Sequence, residues 1–178
     1  MTDKKQQPNY FEFYELPVKF HPELSKVKAK FYALSKKYHP DFYANESAEK
    51  QEEVLQKSTE NNKAYKILSN DKRLVKYVLE LKKVLTEGEQ YVLSQEFLMD
   101  MMDVNEMLMD LELDEDAEKL LELKKEVRGI SSKLNESLIK LTVLHDDKDE
   151  DDVALLRQIK DVYYRQKYVW RLQERLKD

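Results

Sequence analysis

The sequence predicts an all-α protein in two parts, a helical hairpin followed by a three-helix bundle. Three observations carry this. Glycine and proline are scarce, two and four in 178 residues, where average usage would supply roughly 12 and 9, so the turns of a hairpin-rich β fold are missing. Apolar residues recur at helical spacing. Beyond Gly88 the composition changes into three long helical stretches.

Taken in order, Asn9 to Leu16 is an aromatic segment closed by Pro17 and is expected to be a short helical anchor. From Glu23 to Tyr38, Leu24, Val27, Phe31, Leu34 and Tyr38 fall at steps of 3, 4, 3 and 4, one face of a helix. Lys26, Lys30 and Lys37 line a flank of that helix with Lys36 nearby, and five lysines against Glu23 give the segment a formal +4. His39-Pro40-Asp41 breaks the helix, because Pro40 disfavours helical geometry at His39 and lacks a backbone donor. A second long helix is expected over Glu46 to Leu68, with Val54, Leu55, Tyr65 and Leu68 as its apolar stripe, antiparallel to the first. A further helix is expected over Lys72 to Leu85, giving a first domain over 1–85, and 86–90 around Gly88 is the expected hinge. The second domain, 91–178, is expected to hold helices at about Gln90 to Leu113, Asp116 to Leu144 and Asp151 to Leu176. Asp114 to Asp116 and His145 to Asp152 are its charged connectors.

Several functions are excluded at this level. With 31 Lys and Arg against 36 Asp and Glu, the net charge of −5 argues against a generic grip on nucleic acid. Two isolated glycines cannot write a phosphate-binding loop or a dinucleotide turn. Zero cysteines leave no disulfide, no thiolate nucleophile and no cysteine-held zinc or iron–sulfur cluster, so no cofactor is expected. The lead-in Met1 to Asn9 is polar and no run approaches 18 apolar residues, so no membrane segment is expected and a cytoplasmic setting fits. His21, His39 and His145 are isolated in sequence, and His39 with Asp41 has no accompanying nucleophile or oxyanion-type turn. No enzyme is expected.

Between Phe97 and Leu111 lie five of the six methionines, within eleven residues. Phe97, Met101, Val104, Leu108 and Leu111, at steps of 4, 3, 4 and 3, already make one complete core-facing stripe. Leu98, Met99, Met102 and Met109 project mostly to the other side, interleaved with Asp103, Glu106 and Asp110. Either both faces are buried, as in a central helix, or the second is a docking surface. Ten acidic and no basic residues from Glu96 to Glu118, a formal −10, favour docking by a basic partner.

These motifs together resemble those of the HscB-type J-domain co-chaperones of iron–sulfur cluster assembly. The likeness rests on the basic helix ending at Tyr38, on His39-Pro40-Asp41, on Asn62 to Leu68 (NKAYKIL) with Arg73 after it, and on Phe97-Leu98-Met99-Asp100. It implies an L-shaped adaptor of a J-domain and a three-helix bundle. Lys30, Lys36, His39, Pro40 and Asp41 would then dock on an HscA or DnaK-type chaperone and stimulate its ATP hydrolysis. Leu98, Met99, Met102, Asp103, Glu106, Asp110 and, on the last helix, Tyr164 would bind an IscU-type iron–sulfur scaffold. Phe42 departs from the pattern, standing where many J-domains carry a basic residue. A J-protein with a different client, or a helical scaffold in which the tripeptide is fortuitous, are the alternatives.

Overall fold

The computed structural model describes residues 8–113, 116–148 and 152–176. The lead-in before Pro8, Asp114 and Glu115 of the first connector, and 149–151 of the second lie outside the described residues. Every regular element among the described residues is helical, and they form two compact units divided between Val78 and Leu79. This division falls inside a helix, ahead of the expected segment at 86–90.

The first unit holds α1 (Tyr10–Phe13), α2 (Leu24–Lys37), a 3₁₀ turn (Pro40–Tyr43), α3 (Ala48–Leu68) and the first part of α4 (Asp71–Leu81). α1 is a single turn, shorter than expected. Asn9 caps it by accepting the Glu12 N–H at 3.0 Å while the Glu12 carboxylate accepts the Asn9 N–H at 3.0 Å. Glu15 then turns left-handed at φ 54°, and the Leu16 N–H reaches back to the Phe11 carbonyl at 2.9 Å, which ends the helix. That closure seals Phe11 and Tyr14 into the core beside Val27, Val54, Ala64 and Leu68. Leu55, expected on the apolar stripe of α3, is exposed instead, because it lies about 100° round the helix from Val54.

α2 and α3 run antiparallel, as the pairing of Phe31 with Tyr65 and of Ser35 with Asn61 requires. Asn61 is buried at this junction. Its Nδ2 donates to the Phe31 carbonyl at 3.0 Å and to Ser35 Oγ at 2.9 Å. Its Oδ1 accepts from the Tyr14 hydroxyl at 2.8 Å, so three elements meet on one amide. α4 packs back on α1 through Tyr77, whose ring stacks on Tyr10 at 5.0 Å and whose oxygen accepts the Tyr10 N–H at 2.8 Å.

In the second unit α4 stops at Leu81 rather than 85. Lys83 turns left-handed at φ 58° and the Val84 N–H closes on the Leu79 carbonyl at 3.1 Å. A turn over Thr86 to Glu89 follows, closed by the Glu89 N–H on the Thr86 carbonyl at 3.2 Å. Gly88, at φ +78°, takes the third position of that turn, where a side chain is disfavoured.

The bundle proper is α5 (Gln95–Asp100), α6 (Met102–Leu113), α7 (Ala117–Asp146) and α8 (Val153–Arg175). The single helix expected from Gln90 to Leu113 therefore starts later and is interrupted once. Ser94 caps it, its Oγ accepting the Phe97 N–H at 3.3 Å. At Met101 the carbonyl takes both the backbone and the side-chain amide of Asn105, at 3.0 and 2.5 Å. Helical bonds still cross the break, Met101 N–H to Phe97 and Asn105 N–H to Met101, so one face continues from α5 into α6. Phe97, Met101, Val104 and Leu108 fill a core with Leu123 and Val127 of α7, Val169 and Leu172 of α8, and Leu176 just past its end. Leu111 sits at its edge, partly buried.

Replacing Asn61 by alanine removes the amide from the Phe31 carbonyl, Ser35 Oγ and the Tyr14 hydroxyl at once, leaving the last only the backbone carbonyl of residue 61 at 3.1 Å. At about 1–3 kcal/mol per unsatisfied buried group, the loss is expected to be roughly 2–4 kcal/mol, read as a lower urea midpoint of unfolding.

Candidate functional site

Two surfaces, one in each unit, carry the residues singled out in the sequence. The first is the end of α2 and the turn after it. Because Pro40 follows, His39 takes extended backbone, φ −76° and ψ 124°, and becomes the cap of the 3₁₀ turn. Its Nδ1 accepts the Asp41 N–H at 3.3 Å and lies 3.6 Å from the Asp41 carboxylate. The Phe42 N–H closes on the His39 carbonyl at 3.1 Å, and the Tyr43 hydroxyl donates to the last carbonyl of α2, Lys37, at 2.9 Å. Gln51 of α3 donates to the carbonyls of Ala44 and Glu46, tying down the rest of the loop. His39, Pro40 and Asp41 are thus exposed on a turn whose backbone is held from both sides.

The lysines differ in availability. Lys36 is exposed in the last turn of α2, where a cation suits the helix dipole, and makes no ion pair among the described residues. Lys30 is half-buried and ion-paired with Glu15, held there by the left-handed turn that ends α1. Lys26 is exposed and paired with Glu23 at 2.7 Å, and Lys37 lies 5.2 Å from the Tyr38 ring centre. Two exposed aromatics on this side, Tyr32 and Phe42, escape a reading of charge alone. Phe42 sits 5.5 Å from the His39 ring, and the only signal for it was its place beside the tripeptide.

The second surface is the outer face of α5 and α6. Leu98, Met99 and Met102 are 41%, 68% and 55% exposed, while Phe97, Met101, Val104 and Leu108 on the other face are buried. Asp103, Glu106 and Asp110 are exposed and make no ion pair among the described residues. Leu98, Met99, Met102, Asp103, Glu106 and Asp110 therefore share one outer face, apolar along its middle and acidic along one side.

Tyr164 stands apart from that group. Its ring stacks face to face on Tyr91, centroids 4.3 Å apart and planes at 6°, and its hydroxyl donates to Glu89 at 2.9 Å. Lys160 reaches the same carboxylate at 2.8 Å and the Val84 carbonyl at 2.7 Å, and the Tyr91 hydroxyl donates to Asp161 at 2.8 Å. Residues 84–91 are thus strapped along α8. Burial, with Asp161 as its acceptor, pushes the Tyr91 hydroxyl up to about 12. Burial and then the Glu89 contact also raise Tyr164. Tyr168, one turn on, is the α8 ring beside the outer face: its hydroxyl oxygen accepts a hydrogen bond from Asn105 Nδ2 at 2.8 Å and its ring packs edge-on against Phe97.

Among the described residues no group of three His, Asp or Glu is placed to hold a metal ion, and no helix is long and apolar enough to cross a membrane.

Comparison with known proteins gives concordant matches. A family model described as the HSCB C-terminal oligomerisation domain matches residues 93–177. The chain is 32% identical over 104 residues to the co-chaperone protein HscB homolog of Colwellia psychrerythraea, covering 58% of this chain and 59% of that one. It is 34% identical over 120 residues to the homolog of Acinetobacter baylyi, covering 67% and 66%. The matched stretch thus spans about three-fifths to two-thirds of the relatives' length. The fold is that of the chaperone HscB from Vibrio cholerae, with a TM-score of 0.68, 24% identity and 96% of each chain covered. It is equally that of human co-chaperone HscB, with a TM-score of 0.74, 21% identity, and 97% and 82% covered.

The strap yields a pH dependence. Lys160 and then Tyr164 hold the Glu89 carboxyl below its ordinary value of 4.5. A group lowered in the folded state stabilises above its unfolded value and loses that contribution as pH falls through the folded one. The gap in thermal midpoint between the wild type and Glu89→Gln is therefore expected to be widest near neutral pH. It should narrow below about pH 4.5, as a pH series of melting curves would show.

Proposed function

We propose, from the premise that the chain belongs to the HscB family of co-chaperones, that it delivers a scaffold protein to an ATP-hydrolysing chaperone. The bundle holds an IscU-type iron–sulfur scaffold on the outer face of α5 and α6. The turn at His39, Pro40 and Asp41, with Lys36 and Lys30 beside it on α2, engages an HscA or DnaK-type chaperone and stimulates its hydrolysis. The bond-breaking chemistry is the chaperone's, and this chain contributes contacts in a cytoplasmic setting. Tyr164 on α8, carried over by the resemblance, is a further scaffold contact in this reading, and its bonds to Glu89 and Tyr91 also fix the segment that leads into α5.

The observation that carries this reading is the outer face itself. A helix whose inner face already fills a core keeps Leu98, Met99 and Met102 in solvent beside three uncompensated carboxylates. Exposed apolar area of this kind is a contact surface, methionine lets it adapt to a partner, and the carboxylates steer a basic one. On the other surface, lysines of α2 supply attraction toward an acidic chaperone face, and Pro40 presets the turn.

His39→Gln is expected to abolish stimulation of the chaperone's ATPase while leaving scaffold binding intact. Stimulation that survives the change refutes the role given to the turn. The Leu98→Ala, Met102→Ala double variant is expected to weaken scaffold binding in calorimetry by roughly 2–4 kcal/mol if both are central contacts. Its helicity should be unchanged, because neither residue belongs to the buried core.

A further inference from the structure

The outer face does not end at Met102. Met109 is 62% exposed and Leu113, at the end of α6, is 88% exposed. At about 100° per residue, Leu98, Met102, Met109 and Leu113 fall within roughly 60° of one another, since the helical bonds run through Met101. From the first to the last is about 22 Å at 1.5 Å per residue, against about 6 Å for Leu98 to Met102 alone.

The two edges of this stripe differ. On one edge Asn105 is bound to Tyr168 and Glu112 is paired with Arg175, so that side is closed by α8 and its carboxylate is compensated within the chain. On the other edge stand Asp103, Glu106 and Asp110, without ion pairs among the described residues. Charge that is compensated on one edge and left open along the other awaits cations from outside the molecule.

We infer that Met109 and Leu113 form a second apolar anchor. The docked partner lies along the whole of α5 and α6 and presents an apolar surface bordered by lysines or arginines. The inference rests on the scaffold-docking reading and lengthens the apolar part of its footprint by about three helical turns. Met109 and Leu113 touch the partner's apolar surface, while Asp103, Glu106 and Asp110 meet its cations.

The test is calorimetric titration of the full-length protein with the cluster-free IscU-type scaffold. Met109→Gln with Leu113→Gln is expected to weaken binding at least tenfold, Met109→Gln alone by severalfold, and Met109→Leu by less than twofold. Neither position contributes to the buried core, so helicity and urea midpoint serve as controls for an intact bundle. Binding within twofold of wild type for both glutamine variants, with the Leu98→Ala, Met102→Ala variant still impaired, overturns the second anchor and leaves the docking reading standing. Wild-type protein that does not bind the scaffold, or binding untouched by Leu98→Ala with Met102→Ala, refutes the docking reading and the anchor with it.

Discussion

The amide of Asn61 is the point on which the first unit turns. A polar side chain sealed among Val27, Val54, Ala64 and Leu68 is tolerable only when each of its hydrogen-bonding groups is met. Phe31, Ser35 and Tyr14 meet them, one helix turn and one anchor segment at a time. Apolar packing alone would let α2 slide or rotate against α3 with little change in buried area, whereas an amide with three partners accepts one register. That register decides where α2 ends, and therefore where His39, Pro40 and Asp41 are displayed. The chemistry of the turn is local, but its position is set 20 residues later in the sequence.

The second unit solves a different problem. Phe97, Met101, Val104 and Leu108 satisfy the core with one face of a helix, and a three-helix bundle can use no more than that. Leaving Leu98, Met99 and Met102 in water forgoes burial worth about 25 cal/mol per Å², and nothing in the bundle's own packing compensates for it. The same side chains regain that energy when a partner covers them. The strap from Val84 to Tyr91 fits this division of labour, because Lys160, Tyr164 and Asp161 fix the approach to Ser94, where the helix that carries the outer face begins.

How much of this was legible follows from what periodicity can and cannot encode. The steps of 4, 3 and 4 from Phe97 to Leu108 named the inner face correctly, and the same arithmetic left Leu98, Met99, Met102 and Met109 outside. Helix ends were less visible. α5 starts at Gln95, behind its Ser94 cap, and α4 stops before Lys83, because caps and left-handed residues act over three or four residues against the longer pattern. Leu55 is apolar yet exposed, because at about 100° per residue it lies roughly a quarter-turn or more round α3 from Val54, Tyr65 and Leu68, so its neighbour in sequence takes the buried position. Tyr164 was placed with the outer face by resemblance, and its engagement by Glu89 and Tyr91 crosses more than 70 residues of sequence that no local signal spans. Asn61 belongs to the same class: an asparagine on a polar helix surface and one sealed in a junction look alike until Tyr14 and Ser35 are brought to it.

The acidic edge of the outer face has a second consequence for specificity. An apolar stripe some 22 Å long would by itself be a place for two copies of the chain to meet. Laid face to face with their helices antiparallel, two such stripes would bring Asp103, Glu106 and Asp110 of each copy toward the same row on the other, and like charges at that range oppose the contact. A partner bordered by lysine or arginine meets the same row with attraction. On the docking reading proposed above, the carboxylates would discriminate twice, through the encounter they accelerate and through the antiparallel homotypic contact they penalise, while the methionines between them would supply contact area without dictating its shape. In that reading charge selects the partner and the apolar stripe holds it, and the two serve together because they lie side by side on one helix face.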